Sequence, residues 1–371
     1  MRVGVPREIK THEYRVGLTP SSVKEYVVAG HSVLVETGAG GGIGADDAEY
    51  VAAGAKIAPN AAEVFAASDM IVKVKEPQPD EWRRLRRDQL LFTYLHLASD
   101  PAQTQGLIES GCTAIAYETV TDAHGGLPLL VPMSEVAGRL SIEAAAFALR
   151  RHAGGRGLLL GGVPGVPAAK VAVIGGGVVG ANAARMAVGL GAEVTILDRS
   201  LPRLRELDLL FAGRVRTRYS TGDAVAQEIA GADVVIGAVL VPGALAPKLV
   251  RRAQLSTMKK GAVIVDVAID QGGCFETSKP TTHADPTYVV DGVIHYCVAN
   301  MPGAVPLTSS HALNNATLPF GLMLAARGLP AIVENPHLRA GLNVHRGRIT
   351  HPGVATSLGL PLVEAVAALA A

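Results

Sequence analysis

Short runs of apolar residues alternate with longer amphipathic segments along the chain. The runs are rich in Val, Ile and Leu, as expected for strands of a parallel sheet covered on both faces, and the segments between them predict the covering helices. This alternation indicates an α/β fold. In the first part of the chain the predicted strands are 2–5, 31–36, 70–74, 89–95 and 113–118.

Two helix starts are marked by a capping residue followed by proline. Pro20 follows Thr19, and Pro101 follows Asp100. Proline suits the first helical position because its missing N–H would have no partner there. We therefore expect a helix to begin at each of these prolines.

A second series of strands follows a helical pattern from Ser134 to about residue 151 and a glycine-rich segment at 154–167. Six strands with helical crossovers are the number expected of a doubly wound dinucleotide-binding domain. The tail from about residue 307 is predicted to be mainly helical, most clearly at 312–326, and to pack on the first domain. The predicted strands of the second series are 170–174, 193–197, 214–218, 233–237, 262–267 and 292–298.

A glycine fingerprint follows the first strand of the second series. Gly175, Gly177 and Gly180 fill the pattern G-x-G-x-x-G. In this motif the first glycine makes the turn, the second lets a pyrophosphate approach the backbone, and the third lets helix and strand pack closely. The N–H groups and the dipole of the following helix would face the phosphates.

Asp198 closes the next predicted strand. A carboxylate there can accept hydrogen bonds from ribose hydroxyls and repels a 2′-phosphate, so NAD is favoured over NADP. The neighbouring Arg199 argues the other way. A glycine-rich structural turn and a related nucleoside cofactor such as S-adenosylmethionine are the alternatives to dinucleotide binding.

Together these patterns predict two doubly wound Rossmann-like domains with parallel sheets and a ligand-binding cleft between them. Residues 1–128 are predicted to form a substrate and catalytic domain, completed by the C-terminal segment 307–371. Residues 129–306 are predicted to form the NAD-binding domain.

Four polar residues lie at predicted strand ends, where a parallel sheet gathers ligand-binding groups. They are Arg15, Lys75, His96 and Asp270. Together they suit the oxidation of an amino acid, in which Cα loses a hydride, water adds to the imine, and ammonia leaves. A guanidinium can clamp the substrate carboxylate, an ammonium can polarise the developing carbonyl, an imidazole can move protons near neutral pH, and a carboxylate can orient water or the amine.

Each of these residues also has an ordinary structural interpretation. Arg15 and Lys75 can be ion-pair partners of nearby glutamates, and His96 can be a histidine with satisfied hydrogen bonds at a strand end. Asp270 can cap a turn before two glycines, and Asp266 is a rival for its role. Their joint placement at strand ends favours the functional interpretation.

Composition excludes several classes of protein. The 34 Lys and Arg nearly balance the 33 Asp and Glu, so there is no basic surplus for nucleic acid or an anionic membrane. The three cysteines, Cys112, Cys274 and Cys297, are far apart and form no metal-spaced pair. No uncharged stretch resembles a membrane span, and no secretory signal is visible. We expect a cytoplasmic protein with reduced thiols.

Several longer motifs are more specific than the glycine fingerprint. They are GVPREIK at 4–10, HEYRVGLTP at 12–20, LVPMSEVAG at 130–138, DVAIDQGGCFE at 266–276 and NMPGAVP at 300–306. Together with the fingerprint, these motifs resemble the alanine dehydrogenase and pyridine nucleotide transhydrogenase family, and the resemblance covers nearly the whole chain.

The resemblance implies NAD-dependent, reversible conversion of L-alanine and water to pyruvate and ammonium, usually in a homohexamer. It implies substrate binding by Arg15 and Lys75 and catalysis by His96 and Asp270. It also implies cofactor contacts from residues spread over the second domain, namely Ser134, Val178, Asp198, Ser220, Val239, Leu240, Val267, Val298, Asn300 and Met301.

The chain departs from the family pattern in a few places. Thr11 and Gly17 stand where Asn and Ala are more frequent, which could alter loop stiffness and substrate affinity. Met323 and Arg327 stand where some relatives have metal-binding side chains, so no metal is expected.

Three rival functions remain at this point. The chain could be the NAD-binding part of a proton-pumping transhydrogenase, a dehydrogenase of a larger amino acid such as the saccharopine-forming enzyme, or a methyltransferase. Lys75 and His96 favour an amino-acid dehydrogenase over the transhydrogenase part, and the two-domain pattern disfavours the methyltransferase.

Overall fold

The computed structural model describes residues 1–239 and 246–370. The strands within this part of the chain are β1 Arg2–Val5, β2 Ser32–Glu36, β3 Lys56–Ala58, β4 Met70–Val72, β5 Leu90–Thr93, β6 Thr113–Ala116, β7 Lys170–Ile174, β8 Glu193–Asp198, β9 Val215–Tyr219, β10 Val234–Gly237, β11 Val263–Asp266, β12 Thr287–Val290, β13 Val293–Tyr296, β14 Leu342–His345 and β15 Arg348–Ile349.

The α-helices lie between these strands and in the C-terminal tail. They are α1 Pro20–Val28, α2 Asp47–Ala52, α3 Ala61–Ala67, α4 Pro79–Trp82, α5 Pro101–Ser110, α6 Val131–Ala148, α7 Val178–Gly189, α8 Leu201–Phe211, α9 Gly222–Gly231, α10 Arg252–Leu255, α11 Pro306–Arg327, α12 Leu329–Glu334, α13 Pro336–Ala340, α14 Pro352–Leu358 and α15 Ala365–Ala370. Among the described residues, no helix combines the length and the apolar character needed to cross a bilayer.

The chain folds into two compact units. The first unit contains Met1–Met133 and the described residues from Val305 onward, and the second contains the described residues of Ser134–Ala304. The boundary at Met133 falls inside α6, and the other falls just before α11.

The first unit is built on an eight-stranded sheet in the order β15-β14-β6-β5-β4-β1-β2-β3. The six strands from β6 to β3 pair in parallel. Their order reverses direction between β1 and β4, so the loops after these two strands diverge at the carboxyl edge of the sheet. Ligands of doubly wound folds bind at such a switch point.

The second unit repeats this plan in a seven-stranded sheet, ordered β12-β13-β11-β10-β7-β8-β9. Its switch point lies between β7 and β10, which are parallel neighbours. The side chains of β7 alternate between two hydrophobic clusters, with Val171 and Val173 in one and Ala172 and Ile174 in the other. The sheet therefore buries both faces, which explains why this strand is an uninterrupted apolar run.

The structure confirms the α/β fold class, and each predicted strand overlaps an observed one. Both sheets are mostly parallel, as predicted, and each also contains antiparallel pairing. In the second unit β12 is antiparallel to β13, and in the first unit β14 is antiparallel to both β6 and β15. The sequence pattern missed these three added strands and the short β3.

The predicted helix starts are confirmed at both prolines. Thr19 caps α1 and accepts a hydrogen bond from the Ser22 N–H, and Asp100 caps α5 in the same way for the Gln103 N–H. The C-terminal tail is mainly helical, as predicted, although β14 and β15 interrupt its helices. Between β14 and β15, Arg346 and Gly347 both have positive φ angles, 46° and 79°, which is the backbone of a tight hairpin turn.

Candidate functional site

The glycine fingerprint of the second unit forms a close-packed turn between β7 and α7. Gly175 has a φ of +105°, and a Cβ there would lie 2.6 Å from the Ala238 carbonyl oxygen. A Cβ on Gly180 would lie 1.8 Å from the Gly175 carbonyl oxygen. Both positions therefore require glycine for the fold itself.

Gly177 differs from its two neighbours in the motif. A Cβ at this position would meet no atom within 4 Å. Gly177 is also the N-cap of the twelve-residue helix α7, and no side chain caps the first N–H groups of that helix. The open space and the uncapped N–H groups fit a bound pyrophosphate.

Asp198 ends β8 beside this turn. Its Oδ2 accepts a hydrogen bond of 2.7 Å from the Gly176 N–H, and its Oδ1 accepts one of 2.8 Å from the Ser200 N–H. These two bonds fix the carboxylate while each oxygen keeps a lone pair for a ligand. The arrangement fits recognition of a ribose diol, and Arg203 closes the other side of the turn by donating to the Gly176 carbonyl oxygen at 2.7 Å.

The remaining predicted cofactor residues lie along the carboxyl edge of the second sheet or at the start of its helices. Ser134 lies on α6, and Val178 is the first residue of α7. Asn300 has a left-handed backbone, with a φ of 62°. Residues that follow the strand ends are Ser220 after β9, Val239 after β10, Val267 after β11, and Val298 and Met301 after β13. Leu240 lies outside the described residues.

Asp266 and Asp270 occupy different environments in the same segment. Asp266 is fully buried and accepts hydrogen bonds from the N–H groups of Cys274 and Ala268 and from the Ser278 hydroxyl. Burial raises the pKa of Asp266, although these hydrogen bonds oppose the shift. Asp266 is therefore a structural anchor for the loop after β11.

The Asp270 side chain is exposed in a single 3-10 turn, Ile269–Gln271. It makes no hydrogen bond or ion pair within the described part of the chain. The suggested turn-capping role therefore belongs to Asp266, whereas Asp270 is available to a ligand.

Arg15 lies in the loop after β1 and is only 2% exposed. Its Nε and one terminal nitrogen donate to the two carboxylate oxygens of Glu13 at 2.6 and 2.5 Å, and the other terminal nitrogen lies 3.0 Å from the Met133 sulfur. Burial alone would lower the pKa of Arg15, but the hydrogen bonds and charge of Glu13 outweigh it and raise that pKa. Arg15 is thus a buried, permanently charged group rather than a surface ion-pair partner.

The loop carrying Arg15 packs tightly against β4. At Gly17 a Cβ would lie 2.4 Å from the Val72 carbonyl oxygen. Beside Arg15 a cavity of about 410 Å³ is lined by the loop from Arg7 to Arg15 and by residues between Gly38 and Gly42. Gly17, which stands where the family more often has alanine, therefore lets the loop lie closer to the sheet than an alanine would allow.

Lys75 follows β4, and its side chain is 12% exposed. Its ammonium lies 4.0 Å from a carboxylate oxygen of Glu76. Burial alone would raise the pKa of Glu76, but Lys75 and Lys10 outweigh it and lower that pKa. The backbone at Lys75 is held by Glu8, which accepts hydrogen bonds from the N–H groups of Val74 and Lys75 at 2.7 and 3.4 Å.

His96 follows β5, and its side chain is 43% exposed. The imidazole stacks on the Tyr94 ring, with ring centroids 5.8 Å apart and an interplanar angle of 5°. Its Nδ1 lies 3.9 Å from an oxygen of Glu118. The histidine is therefore oriented by its neighbours while part of its ring stays accessible.

Arg15, Lys75 and His96 thus come from three loops at one edge of the first sheet. Sequence reasoning named Glu13 and Glu8 as possible ion-pair partners of Arg15, and the structure shows the pair with Glu13. It missed the support that Glu8 gives to Lys75 and the contacts of Tyr94 and Glu118 with His96. Glu118 was placed at the end of a predicted strand, although β6 already ends at Ala116. The sequence offered one signal for Glu118, namely a carboxylate predicted at the same sheet edge as His96.

A dinucleotide fits the second unit by the open space at Gly177, the uncapped end of α7 and the fixed carboxylate of Asp198. Among the described residues, no group of three or more His, Cys, Asp or Glu side chains is arranged to hold a metal ion.

Comparisons with known proteins match both units. The N-terminal domain model of the alanine dehydrogenase/PNT family matches residues 4–137, and the C-terminal domain model matches residues 141–352. A relative from Halomonas elongata named alanine dehydrogenase is 59% identical over 366 residues, which are 98% of this chain and 99% of the relative. One of the same name from Mycobacterium tuberculosis is 53% identical over the full length of both chains.

Solved structures agree with these relatives. An L-alanine dehydrogenase structure superposes with a TM-score of 0.94 at 54% identity, covering 97% of this chain and 99% of the other. A transhydrogenase from Sinorhizobium meliloti superposes with a TM-score of 0.81 at 27% identity, covering 95% and 99%. The chain belongs to the alanine dehydrogenase/PNT family.

Proposed function

We propose that this protein is an NAD-dependent dehydrogenase that converts L-alanine, water and NAD⁺ reversibly to pyruvate, ammonium, NADH and a proton. One observation carries the proposal: relatives named alanine dehydrogenase are 52–59% identical to this chain over 96–100% of its length. The geometry of both units supports the same chemistry, as follows.

The second unit holds the cofactor in this proposal. The α7 N–H groups and the open backbone at Gly177 receive the pyrophosphate, and the Asp198 carboxylate accepts hydrogen bonds from the ribose hydroxyls. When bound, NAD⁺ would supply the acceptor for the hydride that leaves the substrate Cα. Because Asp198 is negative and fixed by two backbone N–H groups, a 2′-phosphate would be repelled, which favours NAD over NADP.

We assign the other predicted cofactor contacts to the same ligand. Those within the described residues lie at the carboxyl edge of the second sheet or on adjoining helices, which supports the assignment. They are Ser134, Gly175, Val178, Gly180, Ser220, Val239, Val267, Asp270, Val298, Asn300 and Met301. Leu240 belongs to the same proposal but lies outside the described residues.

Arg15 and Lys75 bind the substrate carboxylate and carbonyl in this proposal. The charge on Arg15 persists through burial because Glu13 stabilises it. Glu13 also fixes the plane of the guanidinium, so less side-chain entropy is lost when a carboxylate binds. Lys75, mostly buried beside Glu76, supplies a positive charge that polarises the carbonyl as ammonia leaves.

His96 and Asp270 carry the proton steps. His96 has a partly exposed ring that stacks on Tyr94, so it can take a proton from water as the water attacks the imine carbon, and return it to the departing amine. Asp270 is exposed and unpaired among the described residues, so its carboxylate can orient the water or stabilise the cationic imine.

The rival functions are not favoured. The transhydrogenase structure shares 27% identity with this chain, against 54% for the L-alanine dehydrogenase structure. A dehydrogenase of a larger amino acid and a methyltransferase have no supporting relative among those described above.

The test is NADH formation by the purified chain from NAD⁺ and a panel of amino acids. We expect a rise in NADH absorbance with L-alanine at alkaline pH, and little with D-alanine or with lysine-sized substrates. Activity with a long side chain and none with L-alanine would favour the larger-substrate alternative. Absence of NADH with every substrate, despite measurable NAD⁺ binding, would contradict the dehydrogenase proposal.

We also propose a homo-oligomer, a hexamer by the resemblance, in a reducing cytoplasmic compartment. Support for the compartment comes from the cysteines, since Cys112, Cys274 and Cys297 are all buried and free. Light scattering of the purified chain measures the subunit number directly, and a monomer mass would contradict the assembly proposal.

A further inference from the structure

Glu118 lies just beyond β6, next to the loop that carries His96. Its Oε1 accepts a hydrogen bond of 2.6 Å from the His96 N–H and one of 3.2 Å from the Leu95 N–H. Its Oε2 lies 3.2 Å from the same Leu95 N–H. One carboxylate therefore satisfies two consecutive backbone donors immediately after β5, and its side chain is only 15% exposed.

The backbone of His96 needs this support. His96 has φ and ψ angles of 52° and 36°, in the left-handed region that residues with a Cβ rarely adopt. Such a conformation persists only where surrounding contacts determine it. The His96 carbonyl oxygen is held as well. It accepts hydrogen bonds from the Ser99 hydroxyl at 2.9 Å and from the Ser99 N–H at 3.1 Å.

Tyr94 and Glu118 also orient the His96 imidazole. It stacks on Tyr94, whose hydroxyl is fixed by a 2.6 Å hydrogen bond to the Leu129 carbonyl oxygen. The Glu118 Oε1 lies 3.9 Å from Nδ1. These two neighbours fix the direction of the ring.

We propose that Glu118 is a positioning residue for His96: it holds the histidine backbone in its left-handed conformation and thereby aims the imidazole. The proposal rests on the catalytic role of His96 in the proposed function. Glu118 acts through His96 and touches neither substrate nor cofactor in this scheme.

The positioning role makes an unusual demand on the side chain at 118. Oε1 by itself accepts hydrogen bonds from both backbone N–H groups. One neutral amide oxygen at the same position is therefore sufficient to hold the backbone. Glutamine should therefore replace Glu118 well. Aspartate keeps the charge but withdraws the acceptor by one methylene, so it should replace Glu118 poorly.

The experiment compares Glu118→Gln, Glu118→Asp and Glu118→Ala in the alanine oxidation assay. We expect Glu118→Asp and Glu118→Ala to lower kcat by about 10- to 100-fold, the scale of a misplaced catalytic group, with the KM for alanine within about threefold. Glu118→Gln should stay within about fivefold of the wild type.

A double-mutant cycle separates positioning from general damage. If Glu118 acts through His96, adding Glu118→Asp to His96→Ala should cost less than about twofold further in kcat. The matched control is Asp69→Asn, since Asp69 also accepts a backbone N–H, that of Arg2 at 2.9 Å, but at the opposite end of β1. This control should leave kcat unchanged.

Two results would overturn the proposal while the dehydrogenase proposal stands. One is a Glu118→Asp enzyme as fast as the wild type when His96→Ala is impaired. The other is an equal loss in the His96→Ala background, which would indicate a structural role only. A wild-type chain without alanine activity would instead contradict the proposed function itself, and this inference with it.

Discussion

Asp266 and Asp270 belong to one short segment after β11, yet the first carboxylate is buried in hydrogen bonds and the second is exposed without a partner in the described chain. A buried acceptor that serves several donors is a structural group, because each donor loses its partner when the acceptor is removed. An exposed carboxylate at a sheet edge is free to serve a ligand. Substitution of Asp266 should therefore lower stability, whereas substitution of Asp270 should lower activity.

Asp266→Ala should lower the free energy of unfolding by about 2–3 kcal/mol, since it leaves the Cys274 and Ala268 N–H groups without their acceptor. Asp270→Asn should change it by less than about 0.5 kcal/mol and instead lower kcat. Urea unfolding and steady-state kinetics on both variants check this. Equal destabilisation by the two substitutions would contradict the assignment.

Gly177→Ala should abolish tight NAD binding without harming the fold. Its φ of −66° suits alanine, and the added methyl group would occupy the space assigned to the pyrophosphate. Isothermal titration should show at least about tenfold weaker NAD binding, with the melting temperature of the ligand-free protein unchanged.

The matched control is Gly189→Ala at the end of α7, where a Cβ also meets no atom within 4 Å. Alanine there should leave NAD affinity intact. If both alanines bind NAD like the wild type, the cofactor does not approach the backbone at Gly177.

Asp198→Gly should relax the discrimination against NADP. The substitution removes the negative charge that would face a 2′-phosphate and the side-chain acceptor for the ribose hydroxyls. We expect the kcat/KM ratio of NAD to NADP to fall by at least about tenfold, mostly through weaker use of NAD. An unchanged ratio would mean that another residue recognises the ribose.

His96→Ala should lower kcat by about 100-fold or more, because a general acid and base contributes on that scale. NAD binding should survive, since His96 belongs to the first unit and the glycine turn to the second. Kinetics paired with NADH fluorescence titration measure both quantities. Near-normal turnover would remove His96 from the mechanism.

Structural features that depend on a short, local sequence pattern were predicted best. The glycine turn and β7 were found with their boundaries because an apolar run, glycine spacing and a following helix all lie within one short segment. Arg15, Lys75, His96 and Asp270 could be proposed from the sequence because residues that follow the strands of a parallel sheet gather at its carboxyl edge.

Contacts between distant parts of the chain were less visible. The strand β14 pairs with β6 only after the chain has passed through the whole second unit, and its apolar–polar alternation, Leu342 to His345, is only four residues long. The contact of Glu118 with the His96 backbone was missed for a related reason. It depends on the left-handed conformation of His96, which residue types do not encode.

The dehydrogenase proposal requires that L-alanine loses a hydride from Cα to NAD⁺ on this protein. The most direct measurement uses L-alanine deuterated at Cα and the mass of the reduced cofactor. We predict that the NADH formed carries one deuterium and that pyruvate accumulates in equal amount. Reduced cofactor without deuterium, or deuterated alanine left unchanged beside bound NAD⁺, would contradict this hydride transfer.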